Sequence, residues 1–197
     1  MDTSPQPQTR GPYAKSEQFR LDVLDAALAI LAERGFDATT LQLIADEVGR
    51  SKAGLLHHFG SRDALMQAIV EHRDTVNHKL FPAGPGLEAS VRLVEHNATV
   101  PGLVALFAVT SALAASDPDP TGRRDFFQER YARTRDGFTR KLTAAQAAGT
   151  IRADQRPEVL ATLFIAAMDG LQIQWLLDPA IDMADHLRAM VTLLQPC

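Results

Sequence analysis

The segment 50–62, RSKAGLLHHFGSR, holds no carboxylate, while Arg50, Lys52 and Arg62 are cationic and His57 and His58 can donate hydrogen bonds. Each cation placed against a nucleic-acid phosphate displaces condensed counterions, so an acid-free stretch has the chemistry of a phosphate-facing surface. Ser51 and, upstream, Thr39 and Thr40 add hydroxyls suited to phosphate contact or to helix capping. Ala53 and Gly54 are small enough to bring a helix close to base edges, with Leu56 beside them toward a groove floor. Leu55 and Phe59, four apart, share one helical face and would fasten the segment to a helical body.

The elements that must position these residues follow from periodicity and capping. Thr39 with Gln42 fits a capping box that opens a helix at about residue 40. Leu41, Ile44, Ala45 and Val48 give that helix one apolar face. Gly49 supplies the left-handed residue that stops it, and Ser51 can cap the next helix. Two short helices around a glycine turn make a helix-turn-helix, which sets its second helix in the DNA major groove. Before it, residues 16–34 read as a helix with the stripe Phe19, Val23, Leu24, Ala27, Leu28 and Leu31; Gly35 ends it and Phe36 folds back on Leu31. After it, Ser61 caps a fourth helix, with Asp63 at its positive end, running through Leu65, Ile69 and Val70 to about residue 79, before the breaker FPAGPG at 81–86.

Residues 16–65 resemble the N-terminal domain of TetR-family transcriptional regulators. The resemblance rests on Gly35-Phe36, Thr39-Thr40, Ile44-Ala45, Gly49, Ser51-Lys52, His57-His58-Phe59 and Ser61-Arg62. Three positions depart from the family pattern: Arg50 where Val is frequent, Gly54 where Thr or Ser is common, and Leu56 in place of a frequent phosphate-contacting Tyr. The resemblance implies an all-α chain of about nine helices with a small-molecule site in its C-terminal part. It also implies a homodimer built on the last two long helices and a repressor released from a palindromic operator when ligand binding shifts helix four. A C2 dimer presents two recognition helices about 34 Å apart.

The whole chain sets bounds on this. At 197 residues, 46% hydrophobic and 22% charged, it has the composition of an ordinary globular protein able to bury a core unaided. Its net charge of −4 argues against general nucleic-acid binding, and the first 62 residues hold seven Lys/Arg against eight Asp/Glu. DNA contact must therefore come from local placement of charge. The single Cys197 excludes an intramolecular disulfide and fits a reducing cytoplasm. Residues 1–14 read as a disordered polar arm without the apolar core of a signal peptide, residues 15–80 as the DNA-binding unit, and 81–197 as a ligand-binding and dimerisation unit. The stretch 98–116 is uncharged, but Pro101-Gly102 leaves about fourteen residues of apolar helix, the length of a core helix and not of a membrane span.

The second unit reads as helices at about 87–99, 101–116, 121–148, 157–177 and 183–194, separated by DPDP at 117–120, by 149–157 and by DPAID at 178–182. Leu160, Leu163, Phe164, Ala167, Met168 and Leu171 line one face of the fourth, and Ile165 and Leu176 extend apolarity to another; Leu187, Met190, Val191 and Leu194 do the same in the fifth. A pocket in the manner of the family draws on Leu103, Leu106, Phe107, Thr110, Phe127, Tyr131, Met168, Gln172 and Trp175, although residues of these types at helical spacing are more often plain core. Asp169, an acid in an apolar helix, must be exposed, paired or in contact with a cationic ligand. The run Arg123, Arg124, Arg130, Arg133, Arg135, Arg140, Lys141 reads as a solvated face with i, i+4 pairs. No metal-binding, phosphate-cradling or nucleophile motif occurs in the sequence, so no cofactor or metal is expected. Two rival readings remain: an all-helical enzyme with its site in the second unit, and a helical protein-interaction module.

Overall fold

The computed structural model describes residues 12–82, 87–116 and 122–196, and within these it contains nine α-helices. They are α1 (Pro12–Ala38), α2 (Leu41–Glu47), α3 (Lys52–Phe59), α4 (Arg62–Leu80), α5 (Glu88–Asn97), α6 (Pro101–Ser116), α7 (Arg123–Ala147), α8 (Pro157–Leu177) and α9 (Met183–Leu193). Most of the expected arm, the breakers at 83–86 and 117–120, and Cys197 lie outside the described residues. Residues 12–14, expected in the arm, belong to α1; Pro12 opens it, where a proline's missing N–H is harmless.

Two local expectations change. Gly35 does take a positive φ (77°), but its ψ of 176° is extended and not left-handed helical, and the chain resumes a helical turn to Ala38, so α1 is kinked at Gly35 and not ended there. The capping residue of α2 is Thr40, whose hydroxyl accepts from the Leu43 amide at 3.1 Å. The expected Thr39–Gln42 box does not form: the Thr39 hydroxyl donates to the Gly35 carbonyl at 2.7 Å, and the Gln42 side chain donates to Asp46 at 2.7 Å. Thr39 is drawn away because the kink leaves that carbonyl without a helical partner.

Two hydrophobic clusters hold the molecule. The first joins Val23, Ala27 and Leu31 of α1 to Ile44 of α2, Leu55 and Phe59 of α3, and Leu65, Ile69 and Val70 of α4. It continues past residue 80 into Leu103, Leu106 and Phe107 of α6 and Phe127 of α7. Packing is therefore continuous where the sequence suggests a boundary. Gly102 makes the contact possible: a Cβ there would lie 2.0 Å from the Leu31 carbonyl oxygen and 2.9 Å from the Gly35 Cα. The second cluster joins Leu87, Val91 and Val94 to Leu142 of α7, Leu160 and Phe164 of α8, and Met183 and Leu187 of α9. The stretch 101–116 thus packs into the interior by one face, through Leu103, Val104, Leu106, Phe107, Thr110 and Ala114, and leaves Val109 and Leu113 exposed.

Candidate nucleic-acid interface and interior cavity

The helix-turn-helix forms from local chemistry. Gly49 (φ 62°) turns the chain after α2, and its N–H donates to the Asp46 carbonyl at 3.1 Å. The Ser51 hydroxyl then accepts from the Gly54 amide at 3.0 Å, which starts α3. Leu55 and Phe59 are buried, fixing that helix to the body by one face. The opposite face leaves Arg50, Ser51, Lys52, Ala53, Gly54 and His57 exposed, with Thr40 exposed at the start of α2. Three candidate residues sit further in. Leu56 is half-buried against the first cluster, and Thr39 is half-buried on Gly35. The His58 ring meets Phe19 edge-on at 5.0 Å and Phe59 at 5.1 Å. Arg50 also leans on Phe19, its guanidinium 5.3 Å from the ring centre. Beyond α3, the Ser61 hydroxyl accepts from the Ala64 amide at 3.0 Å, opening α4 with Asp63 in its first turn.

A cavity of about 280 Å³ opens between α4, α5, α6, α7 and α8. Its walls carry more charge than an apolar pocket would. Arg130 of α7 holds Asp74 of α4 through two bonds, Nε to Oδ2 at 2.6 Å and Nη2 to Oδ1 at 3.0 Å. Burial opposes the Arg130 charge, but the Asp74 carboxylate more than compensates and keeps the guanidinium above its ordinary value. Tyr131 donates its hydroxyl to Asp169 Oδ2 at 2.7 Å. Burial raises both partners of that bond: the phenol is pushed up, and the carboxyl stands above its usual range although Tyr131, Arg130 and Arg73 pull it down. Arg73 is 4% exposed, and burial lowers it to about 10. Its Nη2 reaches Asn97 Oδ1 only at 3.5 Å, and its Nε has no hydrogen-bond partner. Gln172, also buried, has an unpartnered Oε1.

The family model of the bacterial regulatory proteins of the tetR family matches residues 23–69, and that of the BetI-type transcriptional repressor C-terminal region matches residues 95–194, more than half of the chain. This chain belongs to the TetR family. The HTH-type transcriptional repressor Rv1474c of Mycobacterium tuberculosis is 26% identical over 155 residues, covering 77% of this chain and 79% of the relative. A TetR-family regulator structure from Rhodococcus sp. superposes with a TM-score of 0.69 at 20% identity, covering 91% of this chain and all of that one. A transcriptional regulator from Saccharomonospora viridis, solved in complex with choline, superposes with a TM-score of 0.66 at 26% identity, covering 89% and 94% of the two chains. The protein is a TetR-family transcriptional regulator, with an N-terminal helix-turn-helix and a helical C-terminal region.

For a TetR-family chain, the cavity differs from the one expected. Phe107, Tyr131, Met168, Asp169 and Gln172 do line it. Thr110 and Phe127 instead border a separate cleft near Arg62 and Arg123, and Trp175 borders another beside α9. Leu103 and Leu106 are core residues of the first cluster. Missed altogether were Arg73, Asp74 and Asn77 of α4 and Arg130 of α7. A signal for the first group was present, because Arg73 and Asn77 continue the i+4 row of Leu65 and Ile69, a buried face that had no reason to turn polar. The α7 run also needs correction. Arg133 does pair with Glu129 on the surface, at 3.9 Å. Arg123 and Arg130, however, turn inward and reach Asp63 and Asp74 of α4, each at 2.6 Å.

Proposed function

We propose that the chain acts as a homodimeric repressor. In this reading α3 lies in the major groove of a palindromic operator, and a small molecule filling the cavity releases the DNA. The observation that carries the reading is the exposed, acid-free face of α3 held by the buried Leu55 and Phe59. Lys52 and His57 would contact the duplex backbone or base edges, Thr40 and Ser51 phosphate, and Ala53 and Gly54 the groove floor. Arg50 would reach a flanking phosphate from its seat on Phe19. Leu56, His58 and Thr39 then serve mainly to set the pose of the reading helix.

Dimerisation is supported by an apolar row on α8 that none of the described residues covers. Leu163, Ile173 and Leu177 are 55%, 50% and 82% exposed, and with Ala166 and Gly170 they recur at alternating steps of three and four. That is the spacing of a seam between two helices. Gly170 has no atom within 4 Å of where a Cβ would stand, so its close-packing partner would be the twin helix. On α9, Leu193 is 74% exposed and extends the face. The same row makes α8 the one described helix long and apolar enough to cross a membrane, a property a dimer seam shares.

Release would run through α4. Its first turn carries Ser61 and Arg62 beside the reading head, and its middle carries Arg73, Asp74 and Asn77 in the cavity. The Arg123–Asp63 and Arg130–Asp74 pairs tie both parts to α7, so a ligand that repositions α4 moves the head with it. The choline-bound neighbour supports small-molecule control of this kind. The protein would act in the bacterial cytoplasm, as a binding protein and not an enzyme.

The test starts from genomic fragments retained by the protein at physiological salt, which supply the duplex. The double variant Lys52→Ala, His57→Ala should bind that duplex roughly tenfold or more weakly, with a salt slope smaller by about one for each phosphate that the variant no longer neutralises. It should still elute as a dimer. Unchanged DNA affinity, or a wild-type protein that elutes as a monomer, refutes the reading.

A further inference from the structure

We infer that the cavity takes a small organic carboxylate, its anionic group seated on Arg73. The inference rests on the cavity's being the effector site of the proposed repressor, and it names the chemical class of that effector. Arg73 is a buried guanidinium without a carboxylate of its own. Among the described residues no acid lies within ion-pair distance of it, its Nε is unpartnered, and its single hydrogen bond, to Asn97, is long. The two nearby acids are otherwise engaged, Asp74 by the bidentate grip of Arg130 and Asp169 by the Tyr131 hydroxyl. A buried charge of this kind is costly unless it is paired, and an incoming anion would pair it.

The rest of the cavity narrows the class. A quaternary ammonium would need an open aromatic face, and three of the four Phe and Tyr rings lining the cavity are engaged: Phe107 by Arg130 at 4.5 Å and Arg73 at 5.6 Å, Phe138 by Lys141 at 5.6 Å, and Phe81 by His96 at 5.4 Å. A carboxylate monoanion matches the charge of Arg73, the one guanidinium lining the cavity that has no ion pair among the described residues. Phe138, Ile165 and Met168 offer an apolar wall for a short hydrocarbon or aromatic body. The unpartnered Gln172 amide oxygen offers an acceptor for a hydroxyl carried by that body.

The test uses the full chain with benzoate, hexanoate and 4-hydroxybenzoate, each beside its neutral amide, and tetramethylammonium chloride, all at constant ionic strength. At least one carboxylate should raise the melting temperature, while its amide and tetramethylammonium leave it unchanged. Arg73→Met should weaken that carboxylate tenfold or more, as expected for loss of a charge-assisted hydrogen bond. Without ligand, Arg73→Met should melt at or above the wild type, because it removes an unpaired buried charge. Stabilisation by an amide or by tetramethylammonium equal to that by the carboxylate overturns the inference. So does the absence of stabilisation by every carboxylate, or a folded Arg73→Met protein that binds the carboxylate as tightly as the wild type. The comparison of carboxylate with amide is made on wild-type protein, so it stands even if the variant fails to fold. Operator release separates the two readings. A carboxylate that stabilises the protein but leaves DNA bound overturns the effector role alone, whereas release by an amide or by tetramethylammonium keeps the effector role and overturns the carboxylate.

Discussion

The reading head and the interior cavity are built in opposite ways. In the head, nearly every polar contact that shapes the backbone spans three or four residues: Thr40 to Leu43, Ser51 to Gly54, Ser61 to Ala64. In the cavity, the contacts that matter span 24 to 60 residues: Arg73 to Asn97, Tyr131 to Asp169, Arg130 to Asp74, and, beside it, Arg123 to Asp63. The head is thus a rigid local motif that needs the body only as an anchor for its apolar face. The cavity exists only once five helices have assembled, and its charges are balanced between helices. A ligand that alters that balance can move helices relative to one another without unfolding the head, which is the mechanical requirement of a switch.

The strongest way to break this contrast is at the joint between the regions. Gly102→Ala places a methyl group 2.0 Å from the Leu31 carbonyl oxygen, a backbone atom that cannot rotate away. We expect a loss of about 3 kcal/mol in stability, at the upper end of the usual cost of overpacking. Because the first cluster runs from α1 into α6 and α7, that loss should appear as one cooperative transition by both circular dichroism and the Trp175 fluorescence of α8. Two separate transitions, with the Trp175 signal unmoved, would mean that head and body are energetically independent.

The next test acts on the head alone. Ser51→Ala removes the acceptor of the Gly54 amide and should cost about 1 kcal/mol. Hydrogen exchange of the amides at the start of α3 should accelerate more than that of the cavity helices α7 and α8. A uniform acceleration throughout the chain would show that the cap supports the global fold and not a local motif.

The same contrast explains how much could be read from the sequence. Gly49, Ser51, Ser61 and the Leu55–Phe59 pair were legible because cause and effect lie within one helical turn. The capping box failed by a single residue: two consecutive threonines offer the same hydroxyl, and only the kink at Gly35 decides which one caps α2. The fold class and the helix order followed from periodicity and breakers. The cavity did not, because an arginine on a helix looks the same whether it faces water or a partner 56 residues away. Arg130 therefore passed as part of a solvated face. Arg73 was the recoverable case, since it interrupts a buried row, and a polar residue in such a row is either partnered or awaiting a ligand.

The smallest expected effect bears on the cavity alone and depends on pH. Burial holds the Asp169 carboxyl above the ordinary value of 3.8, so the folded chain binds this proton more tightly than the unfolded chain does. With more protons bound in the native state, stability must fall as pH rises through the window from the ordinary value up to the raised one. The contribution is fully present below that window and absent above it. Asp169→Asn has no proton to lose, yet it keeps an oxygen to accept the Tyr131 hydroxyl, so its stability should lack this slope. Urea denaturation of both proteins across the acidic range should give curves that run parallel below the window, diverge within it in favour of the variant, and run parallel again toward neutral pH. Because Tyr131 and the two guanidiniums offset part of the burial, the divergence should be smaller than the Ser51→Ala effect. Curves that stay parallel throughout would mean that Tyr131 and the two guanidiniums offset the burial in full. Asp169 would then stand as a carboxylate already balanced by Arg73 and Arg130, and Arg73 would have less charge left for a ligand to neutralise.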